Sequence, residues 1–232
     1  MSTDLRVGAY VMSLDVARFY VTRYLTNSGR KTASFPAYEG FQRDHDPDVL
    51  SDADLLAPVL LNAKLSLDAY YGLQRHRTRL EERLREIKRD AALDQPADPT
   101  ALLGPLFAVL DGEGIPGVRG SVLSKVLHRK RPGFIPLYDR RARWCYRDAP
   151  GAPISPGGRS WEALAVLLAD AMRRDLVAQS TVWRELASIV HPAITPLRAL
   201  DIIAAHAGRQ CRGIRLADDS DAGERVASLT NR

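Results

Sequence analysis

Cysteine is scarce in this chain, with only Cys145 and Cys211 among 232 residues. Two thiols cannot staple a disulfide scaffold, and they form no zinc-ligand motif. The histidines, His45, His76, His128, His191 and His206, show no ligand spacing, so no metal and no cofactor is expected. Asp44-His45-Asp46-Pro47-Asp48 offers oxygen ligands to a hard cation, but no glycine turn completes the set, and it reads as a polar loop. No apolar run approaches the roughly 20 residues that span a bilayer. The opening MSTDLRVGAY has no basic region followed by a long apolar core, so the expectation is a cytoplasmic protein without membrane association. Dinucleotide fingerprint, phosphate-loop lysine and nucleophile elbow are all missing, and Ser121 and Ser124 have no neighbouring base. There is no internal repeat and no low-complexity tract.

What is present is a globular composition, 45% hydrophobic and 26% charged, enough to bury a sizeable core. The periodicity is mostly α-helical. Ser13 is placed to cap a helix carrying Val16, Phe19, Tyr20 and Tyr24, ending before Asn27-Ser28-Gly29. Residues 30–47 read as loop with room for a short strand. Ser51 and Asp54 have capping-box spacing ahead of Leu55, Leu56, Val59 and Leu60, although Pro58 must kink that helix or delay its start. The clearest helix is 67–89, with the stripe Leu73, Leu80, Leu84 and Ile87. A linker with Pro96 and Pro99 follows, then a helix over 101–110 stopped by Asp111-Gly112. Beyond a Gly- and Pro-rich loop at 148–160, helices are expected over 161–174, 182–190 and 197–205. Thr195 before Pro196 supplies an N-cap and a first-turn proline for the last of these. Trp144, Trp161 and Trp183 sit in or beside apolar faces and read as core rather than stacking platforms. The organisation expected is one helical module over 1–212 and a loosely attached tail over 213–232.

Charge is concentrated between Ile115 and Arg147, where nine Lys or Arg face one acid, Asp139. That local balance of +8 exceeds the +5 of the whole chain, so the remainder is slightly acidic. A basic patch on a near-neutral body fits a phosphate-backbone binder, and equally a patch for an acidic protein. Gly117-Val118-Arg119-Gly120 lies between two apolar-periodic segments, giving helix, glycine turn, helix. Such a turn aims backbone N–H groups at an anion, with the Ser121 hydroxyl and the Lys125 charge nearby; an ordinary helical hairpin needs the same glycines. His128-Arg129-Lys130-Arg131-Pro132 closes the second helix. Its cations suit a helix C-terminus, but three in a row exceed what capping requires and point to phosphate contact. Asp139 then starts a short helix through Cys145, either as its N-cap or as a carboxylate that stabilises a developing cation or orients a water.

Together these residues resemble the core of the helix-hairpin-helix DNA glycosylase superfamily. Ile115-Pro116-Gly117-Val118 matches the opening of its hairpin motif, and Asp139 follows Ser121 by the 18 residues that separate the family's catalytic-lysine position from its catalytic aspartate. Arg119 replaces the hairpin's second glycine, with Gly120 one place later. Because Ser121 stands at the lysine position, the resemblance implies no lyase activity but leaves a monofunctional glycosylase using Asp139. The four-cysteine iron–sulfur loop of some members is absent. SKVLHRKRPGFIPLYD and the later ITPLRALDII also resemble an actinobacterial family known only as a domain of unknown function, number 6308, which implies one whole-length module and no particular activity.

The expected fold is therefore mostly α and multi-helical, with a helix-hairpin-helix glycosylase-like core whose hairpin and basic segment occupy 101–147. The leading functional reading is a non-catalytic nucleic-acid binder, with DNA the partner, contacting phosphate through Gly117, Arg119, Gly120, Ser121, Lys125, Arg129, Lys130 and Arg131. The alternatives are a glycosylase hydrolysing an N-glycosidic bond at Asp139, and a structural or protein-binding module. The oligomeric state is not legible in the sequence.

Overall fold

The computed structural model of the chain describes residues 4–26, 34–41 and 46–213. The expected tail and part of the 30–47 loop, His45 included, lie outside the described residues.

A feature absent from the sequence reading comes first, an antiparallel hairpin of β1 (Asp4–Val7) and β2 (Tyr10–Ser13). Leu5 and Val7 are buried while Asp4 and Arg6 are exposed, the period-2 alternation of a half-buried strand. Ser13 caps α1 (Leu14–Leu25), its side chain accepting from the Val16 amide at 3.4 Å. A one-turn helix, α2 (Ala37–Gly40), occupies the described part of the expected loop.

The Ser51–Asp54 capping box forms, with Asp54 Oδ2 accepting from the Ser51 amide at 2.9 Å and the Asp54 amide donating back to Ser51 Oγ. Pro58 settles the length of this helix. Helix α3 (Asp52–Leu56) stops and a 3-10 turn, Ala57–Leu61, takes over with proline near its start. The long helix α4 (Leu67–Arg85) buries Leu73, Leu80 and Leu84, and ends one turn earlier than periodicity suggests. The side chain of Arg131 accounts for that end, as described below.

Helix α5 (Leu103–Phe107) is flanked by 3-10 turns, and its chain reaches α6 (Gly120–His128) through the turn at 111–119. Gly117 has φ +74°, and a Cβ there would lie 3.2 Å from the Ala69 Cβ and 3.3 Å from Ser66 Oγ, so the turn lies directly against the start of α4. Gly120 is covered by the Trp161 ring, which a Cβ would meet at 2.2 Å. Asp111 holds that ring's helix in place by accepting from the amides of Trp161 at 2.7 Å and Glu162 at 3.1 Å.

Helix α7 (Arg140–Arg143) runs into one π-helical turn, Trp144–Asp148. The last three helices are α8 (Trp161–Ala178), α9 (Ser180–Ala187) and α10 (Pro196–Gly213). Thr195 caps α10, accepting from the Arg198 amide at 3.1 Å. Helix α5 packs on α8, while α10 packs on α1, α7 and α9. The core runs continuously from Leu5 of the hairpin through Leu80, Phe107, Phe134 and Trp183 to Ile203. The architecture is mostly helical. Among the described residues no helix is long and apolar enough to cross a membrane.

Candidate functional site

The basic run is where the structure departs most from a surface patch. The side chains of Arg129, Lys130 and Arg131 are 7%, 5% and 0% exposed. Arg129 Nε donates to Asp54 Oδ1 at 2.9 Å, and Lys130 Nζ lies 2.7 Å from Asp54 Oδ2. The remaining Arg129 donors reach the carbonyls of Tyr38, at 2.8 Å, and Phe41. Arg131 Nε donates to the Ile87 carbonyl at 3.0 Å, while Nη2 reaches the Leu84 carbonyl at 2.8 Å and Asp48 Oδ1 at 2.5 Å. A guanidinium on the Leu84 and Ile87 carbonyls satisfies the C-terminal end of α4 and complements its dipole. The three cations expected at a phosphate backbone therefore lie inside the protein, joining α3, α4 and the loop before α3. Charges this buried require partners, and Asp48 and Asp54 are those partners.

The electrostatics follow. Burial pushes the Asp54 carboxyl up, but hydrogen bonds from Lys130, Arg129 and Ser51 outweigh it and hold the group below the ordinary carboxylate range. The Arg131 hydrogen bond, with help from Arg89, lowers Asp48 likewise. His128, fully enclosed, is pushed down to about 3 chiefly by burial, and its Nδ1 lies 2.6 Å from the Ile135 carbonyl. It stays a neutral core residue.

The other half of the expected site remains at the surface. Arg119 and Ser121 at the start of α6 share a groove of about 320 Å³ with Arg140, Arg143 and Arg147. Arg119 and Arg140 are exposed. Arg143 Nε donates to Asp148 Oδ2 at 3.1 Å, and Arg147 Nη2 to the Gly157 carbonyl at 2.9 Å. No side chain caps α6, and Arg119 and Ser121 at its start line this groove, so the helix N-terminus adds its partial positive charge to the arginines. Gly117 lies on the far side of the turn, against α4, and Gly120 beneath Trp161. Both shape the turn and bring its flanks together.

Asp139 performs the capping role. Its Oδ1 accepts from the Arg141 amide at 2.7 Å and the Ala142 amide at 2.8 Å, starting α7. It also lines the arginine groove on one side and, on the other, a separate cavity of about 300 Å³. Capping and facing a cleft, opposed in the sequence, coexist here.

That cavity holds Lys125, expected at a phosphate backbone, together with Arg198 and Asp201, which sequence reasoning did not single out. Lys125 is buried and donates to the Leu61 carbonyl at 3.2 Å, and burial lowers its pKa. Asp201 accepts weakly from the Leu137 amide, at 3.3 Å and 3.4 Å, and burial with only partial relief from Arg198 raises its pKa well above the ordinary value. Arg198 closes the cavity on one side, donating to Glu39 Oε1 at 2.8 Å and to the Tyr24 hydroxyl at 2.6 Å. The signal available beforehand was a charged pair, Arg198 and Asp201, set inside the apolar run of α10. Trp183 is buried in the core, whereas Trp161 and Trp144 are half-buried.

A match over most of the chain now adds to this geometry: a model for a family of unknown function covers residues 17–208. The chain belongs to the DUF6308 family. The match takes in both the groove and the cavity, and leaves the whole β-hairpin outside it. No curated protein and no solved structure matches the DUF6308 chain. Among its described residues no group of three or more His, Cys, Asp or Glu is placed to hold a metal ion.

Proposed function

We propose that this protein binds nucleic acid through the groove between the start of α6 and α7, with Arg119 and Arg140 as its principal phosphate contacts. The observation that carries the reading is the convergence of Arg119, Ser121, Arg140, Arg143 and Arg147 on one groove at an uncapped helix N-terminus. Guanidinium forks and helix amides together suit phosphate oxygens. Arg129, Lys130 and Arg131 are left out of the interface because their charge is already matched inside the fold. Lys125 likewise turns to the cavity behind Asp139. The groove cations position a backbone and carry no information about base sequence.

Fluorescence anisotropy with duplex and single-stranded DNA over a salt series tests this. Binding should weaken steeply with salt, and Arg119→Gln with Arg140→Gln should reduce the duplex log–log slope by about 1.8, two phosphate contacts at about 0.9 each. A double variant with unchanged affinity and slope would refute the groove; no affinity for DNA or RNA at low salt would refute nucleic-acid binding altogether.

A second reading, N-glycosidic hydrolysis, is favoured by one observation: Asp139 lines both the groove and a cavity of ligand-binding size. A nucleotide turned out of the groove would pass this carboxylate, which would stabilise the cationic sugar while water adds and the base leaves with the bonding electrons. Wild-type release of a base from a damaged-DNA panel, lost in Asp139→Asn, is the expected result. Equal release by the two proteins would refute Asp139 as the catalytic group.

A further inference from the structure

Buried cations in the described residues are matched by carboxylates with one exception. Arg129 and Lys130 pair with Asp54, Arg131 with Asp48, and Arg198 with Glu39. Lys125, only 8% exposed, has no carboxylate within 4 Å among the described residues, and its ammonium makes a single hydrogen bond, to the Leu61 carbonyl. An ammonium has three donors, and a buried charge is costly unless it is paired. The carboxylate that attracts it, Asp139, lies beyond ion-pair distance, and both line an open cavity of about 300 Å³.

The surroundings are arranged for an anion. Arg23, exposed, and Arg141, half-buried, line the same cavity, as does the polar side chain of Asn62. Arg198 is offset by Glu39 at 2.7 Å and contributes little net charge. Of the two carboxyls, Asp201 is fully enclosed, and burial raises its pKa well above the ordinary value, which disfavours its charged form. Asp139 has Oδ1 occupied by the two amides of α7. Three cations, Lys125, Arg23 and Arg141, against Asp139 leave an excess of +2, or +1 with Asp201 ionised, so the balance is positive in either state.

We propose that this cavity is a binding site for a phosphomonoester on a small polar body, such as a sugar phosphate or a nucleotide, with the phosphate on Lys125 and Arg141. A phosphomonoester carries about −1.5 to −2 at neutral pH and offers three acceptor oxygens to the Lys125 ammonium and the Arg141 guanidinium, whereas a simple carboxylate offers two. Asn62 and the Asp201 carboxyl then face the hydroxyl-bearing part of the ligand. The proposal stands on Lys125 and the cavity and does not depend on nucleic acid occupying the groove.

Isothermal titration of the full chain at neutral pH with inorganic phosphate, ribose 5-phosphate and ribose is the test. Both phosphate compounds should bind and ribose should not. Lys125→Met and, independently, Arg141→Gln should each weaken ribose 5-phosphate at least about tenfold. Arg141→Gln keeps the backbone amide that Asp139 caps, so it serves if Lys125→Met fails to fold. The groove variant Arg119→Gln/Arg140→Gln should bind ribose 5-phosphate like wild type, which separates this site from the groove. Competition by a 5′-phosphorylated oligonucleotide but not its 5′-hydroxyl counterpart would identify a strand end as the source of the phosphate; competition by neither would identify a free metabolite. Absence of binding up to about 10 mM, ten times a millimolar Kd, would overturn the proposal, as would unchanged affinity in both cavity variants.

Discussion

Removing the Asp54 carboxylate should destabilise the protein strongly, because it is the shared buried partner of Arg129 and Lys130. Asp54 is 2% exposed and takes Nε of Arg129 at 2.9 Å and Nζ of Lys130 at 2.7 Å. It also closes the capping box at the start of α3. Asp54→Ala strands two cations that have only backbone carbonyls left to meet. Breaking a buried pair by deleting one partner costs about 3–5 kcal/mol, and losing the cap alone costs about 1 kcal/mol. Against a total stability of about 5–15 kcal/mol, the expected loss of about 3–5 kcal/mol is about a fifth of the fold's margin or more. With a urea dependence of about 3 kcal/mol/M, the midpoint should fall by about 1–1.7 M at unchanged slope. Asp54→Asn, which retains an acceptor for Ser51, should fall less. Adding Lys130→Met to Asp54→Ala should restore part of the loss, because one stranded charge disappears. A loss below about 1 kcal/mol for Asp54→Ala would refute the reasoning. It would mean that Arg129 and Lys130 turn freely to water, and they would then be available to phosphate after all.

The same pairs set an acid limit. Asp48 and Asp54 have folded pKa values below the unfolded value of about 3.9, so their contribution is complete above that pH and is lost as pH falls through the folded values. Urea midpoints should therefore drop on acidification below about pH 4, and Asp54→Asn should show a shallower drop; parallel curves would contradict the assignment. Gly120→Ala places a Cβ 2.2 Å from the Trp161 ring and should lower stability by about 1–3 kcal/mol, read from thermal unfolding. Asp139→Ala should cost about 1 kcal/mol through its lost cap, while Asp139→Asn should change stability by only a few tenths; equal, large losses would place Asp139 in a tighter structural role.

Local devices were legible in the sequence because each is complete within a few residues. Ser13, the Ser51–Asp54 box, Thr195 before Pro196 and Asp139 before α7 all cap as their positions suggest. The β-hairpin was missed because four-residue strands carry little periodic signal, although Leu5 and Val7 alternating with Asp4 and Arg6 before Gly8 display it. The fate of Arg129, Lys130 and Arg131 was hidden for a different reason. Their partners Asp48 and Asp54 lie 75 to 83 residues away, and no local pattern distinguishes a solvated cation from one paired across the fold. Two clues were present. The run is embedded between Val126-Leu127 and Phe134-Ile135, all fully buried, and the chain before α3 is rich in aspartate. Charges inside an apolar run, there and again at Arg198 and Asp201, signal internal pairing or a cavity more often than a surface patch.

Which arginines form the interface is the central question, and arginine-selective modification with phenylglyoxal, read by peptide mass spectrometry with and without duplex DNA, addresses it most directly. Arg119 and Arg140 should react readily in the free protein and be protected by DNA. Arg129 and Arg131 should stay unreactive in both states, because their guanidinium groups are enclosed. Reactive, DNA-protected Arg129 and Arg131 beside unprotected Arg119 and Arg140 would contradict the account.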